Sequence, residues 1–388
     1  MSRPTYYPKP SLDSVQLMTI LRQCVAPYVP LALQQTRITA DDLWYVLAYA
    51  SVQRSSIEAA CTELADAPSG NRVREVLAAA LPTASVLQRT LNTVLRRQLP
   101  KALFKGNRRY LVALDCTLIP YHGQTTADDP EILRAQAKAG THHFHGYATV
   151  SIVHNRRRYI VALRLVRPGE SMVQIVRPLL DRLRQLQLPI RRVYMDKEFY
   201  SFEVLQTLDR RKLAYVLPLP MRDALQKLCR GRTSHYTTYT LRSPAHGAYR
   251  LRIALVYRQR RSPQQRHVVH WFGFAVAGLS PRLPPRQVFQ LYRHRFGIET
   301  SYRQMNQVRA RTSSRSAVLR LLLMGLALIL VNLYVSLRTR LGTPVRSQRG
   351  GHARPLTLSR LGRLVARAIE TYFDIRPATL LRTVKGIS

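Results

Sequence analysis

The segment "RRYLVALDCTLIPY" (residues 108–121) marks the change from helical sequence to alternating α/β sequence. Its aliphatic and aromatic residues, which come soon after Pro100, predict a buried strand that ends at Asp115. A carboxylate at the end of a buried strand costs free energy unless a positive charge or a metal ion meets it. Asp115 is therefore a candidate functional residue, and the neighbouring segments predict the fold that presents it.

The segments after Pro100 alternate between strand and helix patterns. Strands are predicted at 108–121, 144–154, 157–167, 190–196 and 213–219, and helices at 171–186 and 201–211. Three strands followed by helix, strand, helix and strand is the order of an RNase H-like core. The fourth strand, "IRRVYMD", ends in a second aspartate, Asp196.

A β-rich insertion interrupts this core, and a series of short helices precedes it. Residues 230–280 show period-two patterning without a helix, which predicts a β-rich insertion of a few antiparallel strands. The first hundred residues predict a series of short helices. The basic residues of the last of them are Arg89, Arg96 and Arg97. They would suit a DNA-binding bundle, although an ordinary packing or dimerisation domain has the same pattern.

The fold class predicted from these patterns is α/β, with an RNase H-like catalytic core and a β-rich insertion, preceded by a helical domain. At 388 residues, two or three domains are expected. The predicted segments are a helical N-terminal DNA-binding region (1–104), the first part of the core (105–229), the insertion (230–283), the C-terminal helices of the core (284–343) and a basic linker with a last helix (344–388).

The composition narrows the class of partner. Lys and Arg number 61 against 21 Asp and Glu, which gives a net charge of +40. Such a charge attracts polyanions, of which nucleic acid is the commonest, although a membrane surface or ribosomal RNA could attract it too. Arg predominates over Lys, as suits bidentate phosphate contacts, and a GC-rich genome would also enrich Arg.

The cysteines and the apolar runs predict the cellular compartment of the protein and whether it crosses a membrane. The four cysteines form no CxxC pair, which favours a reducing compartment without structural zinc, and the N-terminus shows no apolar signal core. We therefore expect a cytoplasmic, nucleoid-associated protein. The apolar run "LLLMGLALILV" (321–331) is shorter than the roughly 18 residues of a membrane span. It predicts a buried core helix, with an integral membrane protein as the alternative.

Three carboxylates could form one chemical site. Asp115 and Asp196 end strands, and Glu299 lies in "YRHRFGIETSYRQMNQ" (292–307), which predicts a helix rich in arginine. If they converge, their oxygens suit two Mg²⁺ ions, one activating the attacking hydroxyl and the other stabilising the leaving oxygen. Spacing alone leaves convergence open, because many proteins carry an Asp near a strand end. A solvated, charged helix around Glu299 is the alternative.

The three carboxylate segments resemble the catalytic blocks of DDE transposases from bacterial and archaeal insertion sequences. The match is to the branch with a β-strand insertion between the second Asp and the Glu. The blocks here are "LDCTLIP" around Asp115, "MDKEFY" around Asp196 and Tyr292-x-x-Arg295-x-x-x-Glu299. The resemblance covers roughly residues 105–340.

The resemblance implies roles for individual residues. Asp115, Asp196 and Glu299 would be the catalytic metal ligands, holding two Mg²⁺ ions for which Mn²⁺ would substitute. The residues implied to contact DNA are Tyr292, Arg295, Arg303, Arg309 and Trp271. Tyr292, Arg295 and Arg303 are expected one turn apart on one helical face.

For three features of the sequence, more than one role is possible. In relatives that form DNA hairpins, an aromatic residue of the insertion stacks on a flipped base, but the apolar residues around Trp271 favour a core residue. The family signature has Lys seven positions after the Glu, where this chain has Asn306, and Arg303 or Arg309 could replace its phosphate contact. The cluster His142, His143 and His145 invites a metal site, although imidazole suits softer ions than Mg²⁺.

The implied function is cut-and-paste transposition. The enzyme would cleave DNA at the ends of an insertion sequence and join the 3′-hydroxyl to target DNA. Its partners would be the terminal inverted repeats and the target DNA, with no membrane, and family behaviour implies a homodimer in the synaptic complex. The alternatives are a related nuclease or resolvase, and a catalytically inactive transposase-derived DNA-binding protein.

Overall fold

A computed structural model gives the fold of the chain. It describes residues 13–29, 31, 33, 37–105, 108–125, 131–154, 157–261, 267–293, 296–340 and 356–376. At positions 14, 154, 223, 260–261, 267–268 and 296–301 the description covers the backbone only. The described residues form two compact units, one within Met1–Gln98 and Gln304–Ser388 and the other within Leu99–Arg303.

The α-helices of the described residues are numbered in chain order. They are α1 Ser14–Val25, α2 Ala40–Gln53, α3 Ile57–Glu63, α4 Gly70–Ala80, α5 Ala84–Arg97, α6 Met172–Gln185, α7 Phe202–Arg210, α8 Asp223–Gln226, α9 Pro285–Arg293, α10 Phe296–Gln307, α11 Ala317–Arg340 and α12 Leu358–Phe373. Several begin at side-chain caps that the sequence predicts. Thr39, for example, caps α2 by accepting from the Asp42 amide, while the Asp42 carboxylate accepts from the Thr39 amide.

Nine strands form one mixed sheet in the Leu99–Arg303 unit. They are β1 Tyr110–Pro120, β2 Leu133–Lys138, β3 Thr141–His154, β4 Arg157–Val166, β5 Ile190–Tyr194, β6 Tyr215–Pro218, β7 His235–Ser243, β8 Gly247–Arg261 and β9 His267–Ala277. The strand order is β2-β3-β1-β5-β6-β9-β8-β7, and β4 also pairs with β3. Strands β1, β3 and β4 are antiparallel neighbours, whereas β5 and β6 run parallel to β1.

This topology confirms the predicted RNase H-like core with a β-rich insertion. The insertion is the antiparallel set β7, β8 and β9, which extends the sheet because β9 pairs antiparallel to β6. One strand was not predicted. Strand β2 is short and mostly exposed, and without a buried face its sequence "LRAQAK" carries no alternation of apolar residues.

The two faces of the sheet are covered by different helices. Helix α9 packs on one face, where an apolar cluster includes Ala113, Tyr194, Phe274, Val288 and Tyr292. Helix α7 lies on the other face, where the Phe202 ring contacts the Tyr249 ring of β8, and α6 packs beside α7. Because successive strand residues point to opposite faces, the residues of this cluster show which side chains lie on the α9 face.

The helical unit buries the long apolar helix α11. By length and composition this helix could cross a membrane, yet 89% of its most apolar window is buried within the structure. It packs on α2, α5 and α12, and Gly325 lets it approach the Leu91 side chain of α5. The run "LLLMGLALILV" is thus the core of a helical unit.

The compact units divide the chain differently from the segments predicted from sequence. We expected residues 284–343 to complete the catalytic core, whereas α11 packs with helices drawn from the first hundred residues. A helix that is apolar on all sides must be covered on all sides, but its sequence does not say by which elements. The functional boundaries of the segments remain predictions.

Candidate active site

Asp115 lies within strand β1 and is largely buried, with 8% of its surface exposed. The strand does not end there, as the sequence suggested, but continues to Pro120, because β3 pairs with it throughout. One oxygen of the Asp115 carboxylate accepts a hydrogen bond of 3.0 Å from the Cys116 amide. A carboxylate at this depth suits a site that receives a cation.

Asp196 follows β5, the strand beside β1. It caps a short 3-10 helix, Lys197–Phe199, and its carboxylate accepts from the Lys197 amide at 2.6 Å. The half-buried Asp196 keeps an extended backbone, with φ −80° and ψ 167°. Its carboxylate is therefore fixed where the strand gives way to the loop.

The register of the two parallel strands brings the aspartates to equivalent positions. Ala113 of β1 pairs with Tyr194, the last residue of β5; Asp115 lies two residues further along β1, and Asp196 follows the end of β5 by two residues. Residues two apart in a strand share a face of the sheet, and neighbouring strands lie roughly 4.8 Å apart. Since Ala113 belongs to the cluster under α9, Asp115 lies on the α9 face, beside the strand end that Asp196 follows.

Helix α10 is attached to this site by Tyr302. The Tyr302 hydroxyl donates to the Asp115 carbonyl oxygen at 3.0 Å. It also lies 2.7 Å from the hydroxyl of Thr149, the β3 residue that pairs with Asp115. The single tyrosine proton is used on Asp115, so Thr149 donates to Tyr302. Sequence reasoning missed both residues, although Tyr302 lies within the quoted 292–307 segment.

Glu299 lies on α10, one turn before Tyr302. Residues three apart on a helix are neighbours on one side of it, so the bond from Tyr302 to Asp115 holds the Glu299 backbone on the aspartate side. The Glu299 side chain lies outside the described residues. No group of three metal-ligating side chains occurs among the side chains that the structure does describe.

The residues expected to contact DNA lie on both sides of a gap in the description. Tyr292 is the last residue but one of α9, Arg303 lies on α10 with Glu299, and Arg295 lies outside the described residues. Tyr292 is 7% exposed, and its ring packs 5.2 Å from the Phe274 ring. The buried Tyr292 packs in the core beneath α9, and its place on one helical face with Arg295 and Arg303 stays a prediction.

The remaining predicted residues lie at different places. Arg303 is exposed on α10, four residues after Glu299, and Asn306 is exposed on the same helix. Arg309 follows α10 and is half-buried. Trp271 neighbours Phe272 in β9 and so points away from the α9 face, where the Phe272 ring meets Phe289. The Trp271 ring contacts Tyr257 and His235 edge-on, on the face opposite to Asp115.

The described donors around the site are mainly oxygens. Burial raises the pKa of the Cys116 thiol to about 12, with the Asp115 and Glu198 charges acting in the same direction, so the thiol is neutral at pH 7. His145 is buried with its ring against Tyr121, while His142 is exposed, so these two histidines do not meet at one point. Two carboxylates on adjacent strands, without a thiolate or imidazole, fit a hard divalent cation such as Mg²⁺.

Comparison with known proteins places this site in a family. The family of the transposase DDE domain matches residues 106–333, more than half of the chain, and both aspartates and Glu299 fall within the match. The chain belongs to the transposase DDE domain family. Members of this family generally use divalent metal ions. None of the curated proteins matches the sequence.

The structure of this transposase also resembles a solved one. It is similar to the piggyBac transposase in a synaptic complex with hairpin DNA, determined by cryo-electron microscopy, with a TM-score of 0.58. The two sequences are 11% identical, over 96% of this chain and 84% of the other. At this identity the likeness shows the fold, and it confirms the RNase H-like architecture of the DDE transposases.

Proposed function

We propose that this transposase cleaves DNA at the ends of an insertion sequence and joins the freed 3′-hydroxyl to target DNA. The observation that supports the proposal is the register of β1 and β5, which brings Asp115 beside the end of β5, where Asp196 follows. The bond from Tyr302 to the Asp115 carbonyl then holds the helix of Glu299 against them.

The three carboxylates would hold divalent metal ions. When bound, two Mg²⁺ ions would supply activation of the attacking hydroxyl and stabilisation of the leaving oxygen, and Mn²⁺ would substitute. The protein fixes the carboxylates beforehand, because the amides of Cys116 and Lys197 each hold one oxygen of the neighbouring aspartate. Burial of Asp115 keeps water away and strengthens its attraction for a cation.

DNA is the partner that the charge supports. The net charge of +40 favours a polyanion, and the structurally similar piggyBac transposase was determined with hairpin DNA. The substrates would be the terminal inverted repeats and target DNA, in the cytoplasm at the nucleoid. Two subunits would pair the two ends, because both ends must be cut for the element to leave its site.

A catalytically inactive DNA-binding protein of transposase origin is the second candidate. The observation that favours it is Asn306, an exposed residue of α10 at the position where the family signature has Lys. Loss of that positive charge would remove one phosphate contact and leave the rest of the basic surface. Such a protein would bind DNA without a metal requirement.

Cleavage of DNA that carries the gene's own flanking ends tests the proposal. Wild type should nick at the element boundary with Mg²⁺ or Mn²⁺, and Asp196→Asn should abolish nicking while leaving DNA binding intact. The matched control is Asp181→Asn, which removes a carboxylate on α6 that pairs with Arg211 at 3.0 Å. Tight binding by all three proteins with no cleavage in either metal would establish the inactive DNA-binding protein instead.

A further inference from the structure

The insertion and the helix after it carry an unusual charge distribution. Residues 224–298 contain no aspartate or glutamate and fourteen lysines and arginines. No carboxylate within this segment can therefore neutralise an arginine beside it. The positive charge of this segment can be neutralised only by carboxylates of other segments or by an external anion, and the fold decides where that charge lies.

Helix α9 presents one side to the sheet and the other to solvent. Val288 and Tyr292 are buried in the cluster on the sheet. Arg286, Gln290 and Arg293 are exposed, and their i, i+4, i+7 spacing places them together on the opposite side of the helix. Two arginines two turns apart, with an amide between them, thus line the outer side of α9.

Two arginines of β8 flank this helix. The Arg252 guanidinium lies 4.0 Å from the centre of the Tyr236 ring, and the Tyr236 hydroxyl donates to the Leu283 carbonyl just before α9. The Arg258 guanidinium lies 4.4 Å from the centre of the Phe289 ring of α9. Both arginines are exposed. A guanidinium held over an aromatic ring loses less conformational entropy when it binds a phosphate.

This basic surface lies on the same face of the sheet as Asp115. Phe274 and Ala113 belong to one cluster, so α9 and the strands beneath it continue the face that carries Asp115. Strands β1 and β8 are separated by β5, β6 and β9. At roughly 4.8 Å per strand, about 19 Å separates Asp115 from β8, which corresponds to roughly six base pairs of duplex at ~3.4 Å each.

We propose that Arg286, Gln290 and Arg293 of α9, with Arg252 and Arg258 of β8, bind the phosphate backbone of double-stranded DNA beside the cleavage site. We call these five residues the arginine face. The inference rests on the proposed function, which brings DNA to the aspartates. A membrane-binding helix would expose large apolar side chains, and those of α9 are not exposed.

The test compares two double substitutions that each remove two positive charges. Arg286→Gln with Arg293→Gln alters the arginine face. Arg184→Gln with Arg210→Gln is the control, because these exposed arginines lie on α6 and α7, on the other side of the sheet. Affinity for a labelled duplex carrying one element end, and for an unrelated duplex, is measured in EDTA over a range of salt concentrations.

The arginine-face variant should bind both duplexes more weakly, at least tenfold at low salt. Its plot of log affinity against log salt should be less steep by nearly 2, because each phosphate contact contributes about 0.9. Both duplexes should be affected alike, since phosphate contacts carry no sequence information. The control variant should retain the wild-type slope.

Three outcomes would contradict either the inference about the arginine face or the proposed function. Wild-type binding by the arginine-face variant would overturn the inference and point to an acidic protein as the partner of this surface. An equal loss in both variants would also overturn it, because net charge alone would explain the result. If the wild type binds neither duplex, the proposed function itself fails.

Discussion

The hydroxyl of Tyr302 is the most informative single group near the candidate site. It joins α10, β1 and β3 through the Asp115 carbonyl and the Thr149 hydroxyl. Tyr302 is thus placed to position the helix of Glu299 beside Asp115.

Tyr302→Phe should slow metal-dependent cleavage by about 10- to 100-fold, because a small displacement of a catalytic group is costly. The apparent affinity for Mg²⁺ should weaken as well, a result that a purely structural role would not produce. The measurement is a metal titration of the initial cleavage rate. Loss of the hydrogen bond should cost only ~1 kcal/mol of stability.

Tyr110→Phe is the matched control for Tyr302→Phe. The hydroxyl of Tyr110, the first residue of β1, donates to the Leu103 carbonyl at 2.9 Å, so this variant also loses a hydrogen bond from a tyrosine hydroxyl to a backbone carbonyl. It should be destabilised to a similar extent and keep the wild-type metal dependence. If both variants respond to metal alike, Tyr302 has no positioning role.

Among the elements, α11 depends on one glycine for its packing. A Cβ added at Gly325 would lie 2.5 Å from the nearest atom of the Leu91 side chain, which is fully buried in α5. The leucine has little room to move, since the surrounding helices α2 and α12 also pack on α11. The close approach of α5 and α11 therefore requires the absence of a side chain at this position.

Gly325→Ala should destabilise the protein by about 1–3 kcal/mol through overpacking, despite the better helix propensity of Ala. The free energy of unfolding in urea measures the effect. In the double variant with Leu91→Ala, the alanine at 325 should cost less, or should stabilise, because the space vacated by Leu91 receives the added methyl group. Strictly additive effects would show that Leu91 is not the obstacle.

At the scale of the whole molecule, the charge and the candidate active site suggest how DNA ends are handled. The residues that the structure describes offer one candidate site, with Asp115 beside the strand end that Asp196 follows, whereas an element has two ends to be cut. The excess of positive charge opposes association of free chains, and DNA would neutralise it. Assembly on DNA is therefore the expected route to a dimer.

Light scattering after size-exclusion chromatography should show two chains of 44.5 kDa with two end duplexes in one complex. The protein alone should be smaller at the same concentration. An unrelated duplex of equal length is the control, and it should not give the defined two-to-two complex. A stable complex of one chain with one end would contradict pairing of ends by a dimer.

The sequence alone determined the class of fold and the identity of the candidate carboxylates. Strand and helix periodicities predicted the core order and the insertion, because period-two and 3.6-residue patterns follow directly from backbone geometry. The residues around Asp115, Asp196 and Glu299 carried the resemblance to DDE transposases, which the family match confirms. The net charge likewise indicated a polyanionic partner, since net charge depends on composition alone.

The tertiary structure decided what depends on register and on the packing of distant elements. Only the pairing of Ala113 with Tyr194 shows that Asp115 lies beside the strand end that Asp196 follows, and only the fold brings Tyr302 to Asp115. The tertiary structure also decided the face of Trp271, because the alternation along β9 places its ring opposite to α9. Local sequence sets which residues share an element and a face, but the contacts between elements form only when the whole core packs.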